Sequence, residues 1–219
     1  MIMGNALWQL VKQSDVVSWI VLFILLGLSI ICWTIFFFKL LVIRIKKQHI
    51  KRAIKQLQQT KTHDDIRALA MQMQNTLPGY FMAKYINFAY VLREQAVSSS
   101  DAKEMLQQYS EQLLDNILVD EEAYISLLST SAAVSPLLGL FGTVWGLIHA
   151  FVGISERQTA DIVAVAPGIA QALTTTLAGL IVAIPAFVMF NYIQGQIRDF
   201  EQRVYTLADI LSLRMQSLK

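Results

Sequence analysis

The sequence predicts an all-α membrane protein in which three transmembrane helices carry long cytoplasmic helical extensions. Three observations lead there. Of 219 residues, 55% are hydrophobic and 16% charged, and the mean hydropathy of +0.48 is too apolar for a soluble domain. Three apolar runs each exceed the roughly 20 residues that cross a bilayer core. The polar remainder places its hydrophobic residues at helical spacing and shows no strand alternation. A formal net charge of +2 without a long basic tract argues against nucleic-acid binding.

Taken in order, residues 1–15 are expected outside the membrane, ahead of a first span over 16–43 interrupted only by Ser18, Ser29, Thr34 and Lys39. That run is too long for a signal-peptide core, and no small-residue cleavage site follows Phe36-Phe37-Phe38-Lys39. Its bulky side chains, Phe23, Leu25, Leu26, Phe36, Phe37 and Phe38, suit a helix that faces lipid. The single cysteine, Cys32, reads as a small buried hydrophobe. Immediately after the span come Arg44, Lys46, Lys47, Lys51, Arg52 and Lys55, which mark this flank as cytoplasmic. The helix is expected to continue inward to about Gln58.

Residues 44–123 read as a cytoplasmic helical region. Thr62 with Asp65 resembles a capping box, Leu77-Pro78-Gly79 a break, and Ser98-Ser99-Ser100-Asp101 a polar linker ending in an N-cap. From Asp101 the series Met105, Leu106, Tyr109, Leu113, Ile117 and Tyr124 runs on without a helix breaker, predicting one helix of about 50 residues through the second span. Such helices cannot bury their apolar stripes alone and need a bundle or neighbouring subunits. His49 and His63 lack a second ligand at metal spacing and read as surface histidines. Asp120, Glu121 and Glu122 read as a solvated collar at the entry to the membrane rather than a cation site.

The second span, 124–154, and the third, 162–193, are joined by a short outer loop, 155–161, and followed by a cytoplasmic C-terminal helix, 194–219. Few basic residues flank the amino terminus or this loop, so both are expected outside, with the tail bearing Arg198, Arg203, Arg214 and Lys219 inside. Both spans interleave small residues at three- and four-residue steps, including Gly139, Gly142 and Gly146 in one and Gly168 and Gly179 in the other, which suits close helix packing in lipid. Pro136 and Pro185 are expected to kink their helices, and Pro167 to start the third.

Counting inward from the loop places Thr143, Gln171, Thr174 and Thr175 at one level, and Thr176 opposite Leu138. This polar layer has two readings, hydrogen bonding between helices or a lining for ions and polar groups. Neither span core holds Asp, Glu, Lys or Arg, so a proton relay requires a carboxylate from another helix. With no nucleophile–base pair, phosphate loop or metal constellation, neither an enzyme, a cofactor nor a metal site is expected.

Ser135-Pro136-Leu137-Leu138-Gly139-Leu140-Phe141-Gly142-Thr143-Val144-Trp145-Gly146 resembles a segment of the TolQ/ExbB/MotA proton-channel stators. Ala166-Pro167-Gly168-Ile169-Ala170-Gln171-Ala172-Leu173, continuing through Ala183-Ile184-Pro185-Ala186 to Asn191, is similar to their third span. The likeness covers roughly Ser129 to Tyr192, with a weaker echo at Trp33-Thr34-Ile35-Phe36-Phe37 and Lys39. It implies a bacterial inner-membrane ring of five identical subunits surrounding a TolR- or ExbD-like single-span partner whose membrane Asp carries the proton. Proton flow would then drive force onto a TolA- or TonB-like protein spanning the periplasm. By position, Thr143 and Thr176 look like the threonines facing that Asp, with Thr175 beside them. Gln171 stands where well-known members carry Glu, removing a charge that would act on the Asp. Gln171 and Thr176, five residues apart, lie about 140° around the helix and cannot face one line. His149 leans toward TolQ and Phe151-Val152-Gly153-Ile154 toward ExbB; three spans rather than four disfavour a flagellar role. A non-conducting scaffold that organises a partner is the alternative.

Overall fold

The computed structural model describes residues 16–60, 62–96, 98–157 and 162–217, and every regular element among them is helical. The helices are α1 (Val16–Gln59), α2 (His63–Gln72), α3 (Leu77–Glu94), α4 (Ser99–Glu122), α5 (Ile125–Arg157) and α6 (Ile162–Ser217). Residues 1–15 and most of the loop expected over 155–161 lie outside the described residues. Three helices, α1, α5 and α6, are long and apolar enough to cross a membrane.

The chain forms two compact units, one from Met1–Phe37 with Tyr124–Tyr192, the other from Phe38–Ala123 with Ile193–Lys219. In the first, Cys32, Leu128, Ala186 and Met189 make a core on which Ile35, Phe36, Ala132 and Phe190 pack, tying α1 to α5 and α6. Phe23, Leu26, Phe37 and Phe38 are exposed, as a lipid-facing helix requires, whereas Leu25 is buried and Phe36 packs inward. The apolar face of the first span is therefore divided between lipid and protein.

In the second unit the extensions bury their own stripes. Ile193, Ile197, Phe200, Val204, Leu207 and Leu211 on α6 repeat at four- and three-residue steps and are all buried, a coiled-coil-like seam. Ile43, Ile50, Ala53 and Leu57 are their buried counterparts on α1. Lys47 Nζ donates to Gln196 Oε1 at 2.8 Å and pairs with Asp199 Oδ2 at 2.7 Å. Further along both helices, Arg214 Nη2 donates to the Gln58 carbonyl at 2.6 Å. Partner numbers rise together, so the two extensions run parallel.

The short helices start where the sequence supplies caps. The Thr62 amide donates to Asp65 Oδ2 at 3.0 Å and the Asp65 amide to Thr62 Oγ1 at 3.4 Å, a full capping box. Ser98, not Asp101, caps α4, accepting from the Asp101 amide at 3.3 Å. Thr76 caps α3, so Leu77, Pro78 and Gly79 form its first turn, and the expected break falls just ahead of them. Pro is favoured there because its missing N–H has no helical partner to lose. Gly79 is required by space, since a Cβ would meet the Met73 carbonyl group.

Two further expectations are corrected. The predicted single helix from Asp101 through the second span is divided at Ala123, with ψ 138°, and Tyr124, with φ 69°. A left-handed tyrosine ends α4, and neither residue type signals such a break. Pro167 does not start the third helix: it lies inside α6, which is already helical at Ile162.

Candidate functional site

The face of α5 carrying Ser135, Gly139, Gly142 and Gly146 packs antiparallel against Ala172, Thr175, Thr176 and Gly179 of α6, and all of these except Thr176 are buried. Close approach explains the composition. A Cβ on Gly139 would stand 2.9 Å from Thr176 Cα, and one on Gly146 2.9 Å from Ala172 Cβ. On Gly142 it would meet Thr175 Cβ at 2.7 Å, and on Gly168 it would meet Ala150 Cβ at 3.1 Å. Glycine and alanine at each contact let the two backbones meet, where lipid offers no hydrophobic driving force for association.

The hydroxyls of this region are mostly turned onto backbone carbonyls. Thr143 Oγ1 donates to Leu140 O at 2.7 Å and Thr174 Oγ1 to Ala170 O at 2.9 Å. Thr175 Oγ1 donates to Ala172 O at 2.7 Å and also lies 3.3 Å from Gly139 O, across the seam. Thr176 Oγ1 donates to the same Gly139 carbonyl at 3.0 Å. Gly139 thus receives two threonines, a role its sequence position did not reveal.

Of the residues expected to line a pathway, Thr175 is only 1% exposed, so in this chain it packs the seam. Thr143, Gln171 and Thr176 are partly exposed. Thr176 turns to α5, as its 140° separation from Gln171 demands. Gln171 differs from every threonine around it: among the described residues its amide makes no hydrogen bond. The expected level is also revised. Contact of Ala172 with Gly146 and of Thr175 with Gly142 puts Thr143 beside Thr174 and Thr175. Gln171 then lies about one turn, or ~5 Å, further along. Thr176 meets Gly139, not Leu138. Counting from the ends of the spans missed this offset because contacts between small residues set the register.

Pro136 and Pro185 sit inside α5 and α6, neither of which is interrupted there. His149, a titratable side chain within the second span, is exposed and lies six residues, about 9 Å, beyond Thr143. Among the described residues no group of His, Cys, Asp or Glu is placed to hold a metal ion. The expected collar is corrected at Glu121, which is 2% exposed and pairs with Lys46, while Glu122 is exposed. Lys39, alone in an apolar run, was the one sequence signal that a buried partner was needed.

Comparison with known proteins agrees with this architecture. The chain is 33% identical over 219 residues to the biopolymer transport protein ExbB of Salmonella typhimurium, covering 95% of this chain and 87% of that protein. It is 32% identical over 201 residues to the Tol-Pal system protein TolQ of Haemophilus influenzae, covering 89% and 86%. To TolQ of Pseudomonas aeruginosa it is 27% identical over 211 residues, covering 94% and 90%. Residues 73–206, which hold both small-residue spans and their seam, match the family described as the MotA/TolQ/ExbB proton channel family. With three membrane-spanning helices, two of them built around that seam, and relatives aligned along nearly its whole length, this multi-pass inner-membrane protein belongs to the MotA/TolQ/ExbB proton channel family.

Proposed function

We propose that the chain is one subunit of a proton-driven stator: a ring of five copies whose α5 and α6 surround the membrane helix of a TolR- or ExbD-like partner. The amino terminus faces the periplasm and the carboxyl terminus the cytoplasm, in keeping with the basic flank Arg44 to Lys55. Flow of protons through the partner's membrane Asp does work on a TolA- or TonB-like protein.

One observation carries this reading, the amide of Gln171, which lies within a span and has no hydrogen-bond partner among the described residues. An amide without a partner in hydrocarbon costs several kcal/mol, so its face requires a polar group from another molecule. Thr143 and Thr176 complement it. Their hydroxyl protons are committed to Leu140 and Gly139 carbonyls, leaving lone pairs that accept but do not donate. A protonated carboxylic acid, which must donate, fits that level; a carboxylate, which only accepts, fits the Gln171 N–H groups one turn away. Protonation and release would thus bias the acid between two neutral stations. Thr175, withdrawn into the seam, holds the helices in register.

The alternative, a scaffold that organises a partner without conducting, is favoured by one feature, the amide at 171 where a charge would otherwise sit. Gln171→Leu and Gln171→Glu decide between them when each is purified with its partner and assayed for proton flux in liposomes. We expect Gln171→Leu to reduce flux at least tenfold with the complex intact, and Gln171→Glu to shift its pH dependence upward, because a nearby negative charge favours the protonated acid. Absence of flux in the unaltered complex, or flux indifferent to both changes, contradicts the stator reading.

A further inference from the structure

Near the end of α4, one buried carboxylate lacks a hydrogen-bond donor. Glu121 is 2% exposed, a depth at which glutamate is rarely found unless paired. Its Oε1 receives Lys46, and its main-chain carbonyl accepts Lys39 Nζ at 2.8 Å. Oε2 is buried with no hydrogen-bond partner among the described residues. A charge withdrawn from water is costly unless its lone pairs are satisfied, so the missing donor points to a group from outside the chain. Glu121 and Lys46 line a cavity of about 350 Å³, together with Ile117 and with Gln74 and Asn75 from the turn between α2 and α3. All of these residues belong to the second compact unit.

The level of the cavity and the charges beside it narrow what can fill it. Lys46 stands three residues, about 5 Å, past Ile43, where the apolar run of α1 ends, which is the level of phospholipid headgroups. A simple cation would approach Glu121 against the ammonium groups of Lys39 and Lys46, and a simple anion against the carboxylate. A group bearing both signs meets each with its opposite. Its negative end would face Lys46, whose side chain is 33% exposed and has N–H groups beyond the one that Glu121 takes, and the exposed amides of Gln74 and Asn75. Its positive end would serve Oε2 and must carry N–H. A charge-assisted N–H···O bond is roughly twice as strong as a neutral one, whereas a trimethylated ammonium donates none. The last torsion of a glutamate side chain is broad, so a small turn of the carboxylate brings Oε2 to the cavity.

We propose that this cavity binds the phosphoethanolamine headgroup of a phospholipid in the leaflet at that end of α1, with its ammonium donating to Glu121 Oε2 and its phosphate held by Lys46, Gln74 and Asn75. Lys39, bonded to the Glu121 main chain, fixes the residue that reads the ammonium. The site is independent of proton conduction, and its test reads lipid retention alone.

Native mass spectrometry of the full chain, released from mixed micelles that hold equal amounts of phosphatidylethanolamine, phosphatidylcholine and phosphatidylglycerol with identical acyl chains, supplies that test. The unaltered protein should retain phosphatidylethanolamine about tenfold over phosphatidylcholine, which carries the same phosphate but no N–H donor. Glu121→Gln places an N–H where Oε2 stood, facing the ammonium, and should bring that ratio to about one. Lys46→Gln removes a phosphate contact common to both lipids and should weaken both alike. Excess water-soluble phosphoethanolamine should leave the lipid in place, since it lacks the acyl chains that hold a headgroup at this level. A ratio near one in the unaltered protein, a comparison that needs no variant, overturns the proposal. So does phosphatidylglycerol retained as well as phosphatidylethanolamine, the preference surviving in folded Glu121→Gln, selective loss of one lipid in Lys46→Gln, or displacement by the soluble compound.

Discussion

Gly139 shows how much one residue settles in a span. Its missing side chain lets Thr176 approach, and its carbonyl then receives the Thr176 hydroxyl at 3.0 Å. Interhelical bonds of this kind contribute on the order of 0.6 kcal/mol each in lipid, so the close packing they accompany matters at least as much. The glycines therefore differ in sensitivity. Gly139→Ala sets a Cβ against Thr176 backbone, where nothing yields, and should destabilise by about 1–3 kcal/mol. At Gly142 the obstacle is Thr175, buried and β-branched, whose Cβ would stand at 2.7 Å and cannot turn away, so the cost should be at least as large; Gly27 and Gly153 face open space and should tolerate alanine within about 0.5 kcal/mol. Thermal unfolding of the four variants in one detergent gives the ranking, and equal effects would contradict this register. The small-residue stripe and threonine layer were legible because packing in lipid leaves a compositional trace. Which threonine points where was not, since rotamer and register depend on the opposing helix.

Among the elements, those with local signals were read and those without were missed. The Thr62–Asp65 box and the inward continuation of α1 past Arg44 follow from side chains acting on their own backbone. Buried Glu121 is partnered by Lys39 and Lys46, about 80 residues away in sequence, and nothing local announces either that burial or the break at Tyr124. The pairing of α1 with α6 also has a measurable signature. Lys47 first, and Arg203 second, hydrogen-bond the Asp199 carboxylate and hold its pKa below the ordinary 3.8. A carboxyl whose folded pKa is depressed stabilises the fold above its unfolded value and loses that contribution as pH falls through the folded one. The pairing of the extensions should therefore weaken below about pH 3.8. Asp199 is nearly half exposed, so solvent screening keeps the effect below about 1 kcal/mol. Asp199→Asn should show that small loss already at neutral pH and a flatter acid limb in thermal unfolding; an acid limb identical to the parent's would refute the assignment.

For the whole molecule, apolar length predicted three spans and the structure supplies them, with α5 and α6 joined by a seam that no charged residue enters. Relatives aligned over most of the chain place it in a family of proton channels. The small-residue spans hold hydroxyls, amides and one histidine but no carboxylate, so in the function proposed above the acid that carries the proton comes from a second polypeptide. The most direct measurement is proton flux into liposomes holding this chain alone, then this chain with the single-span partner that co-purifies with it, then with that partner's membrane Asp changed to Asn. The account predicts no flux, flux, and no flux in that order. Flux from the chain alone, or flux that survives the Asp→Asn change, would contradict it.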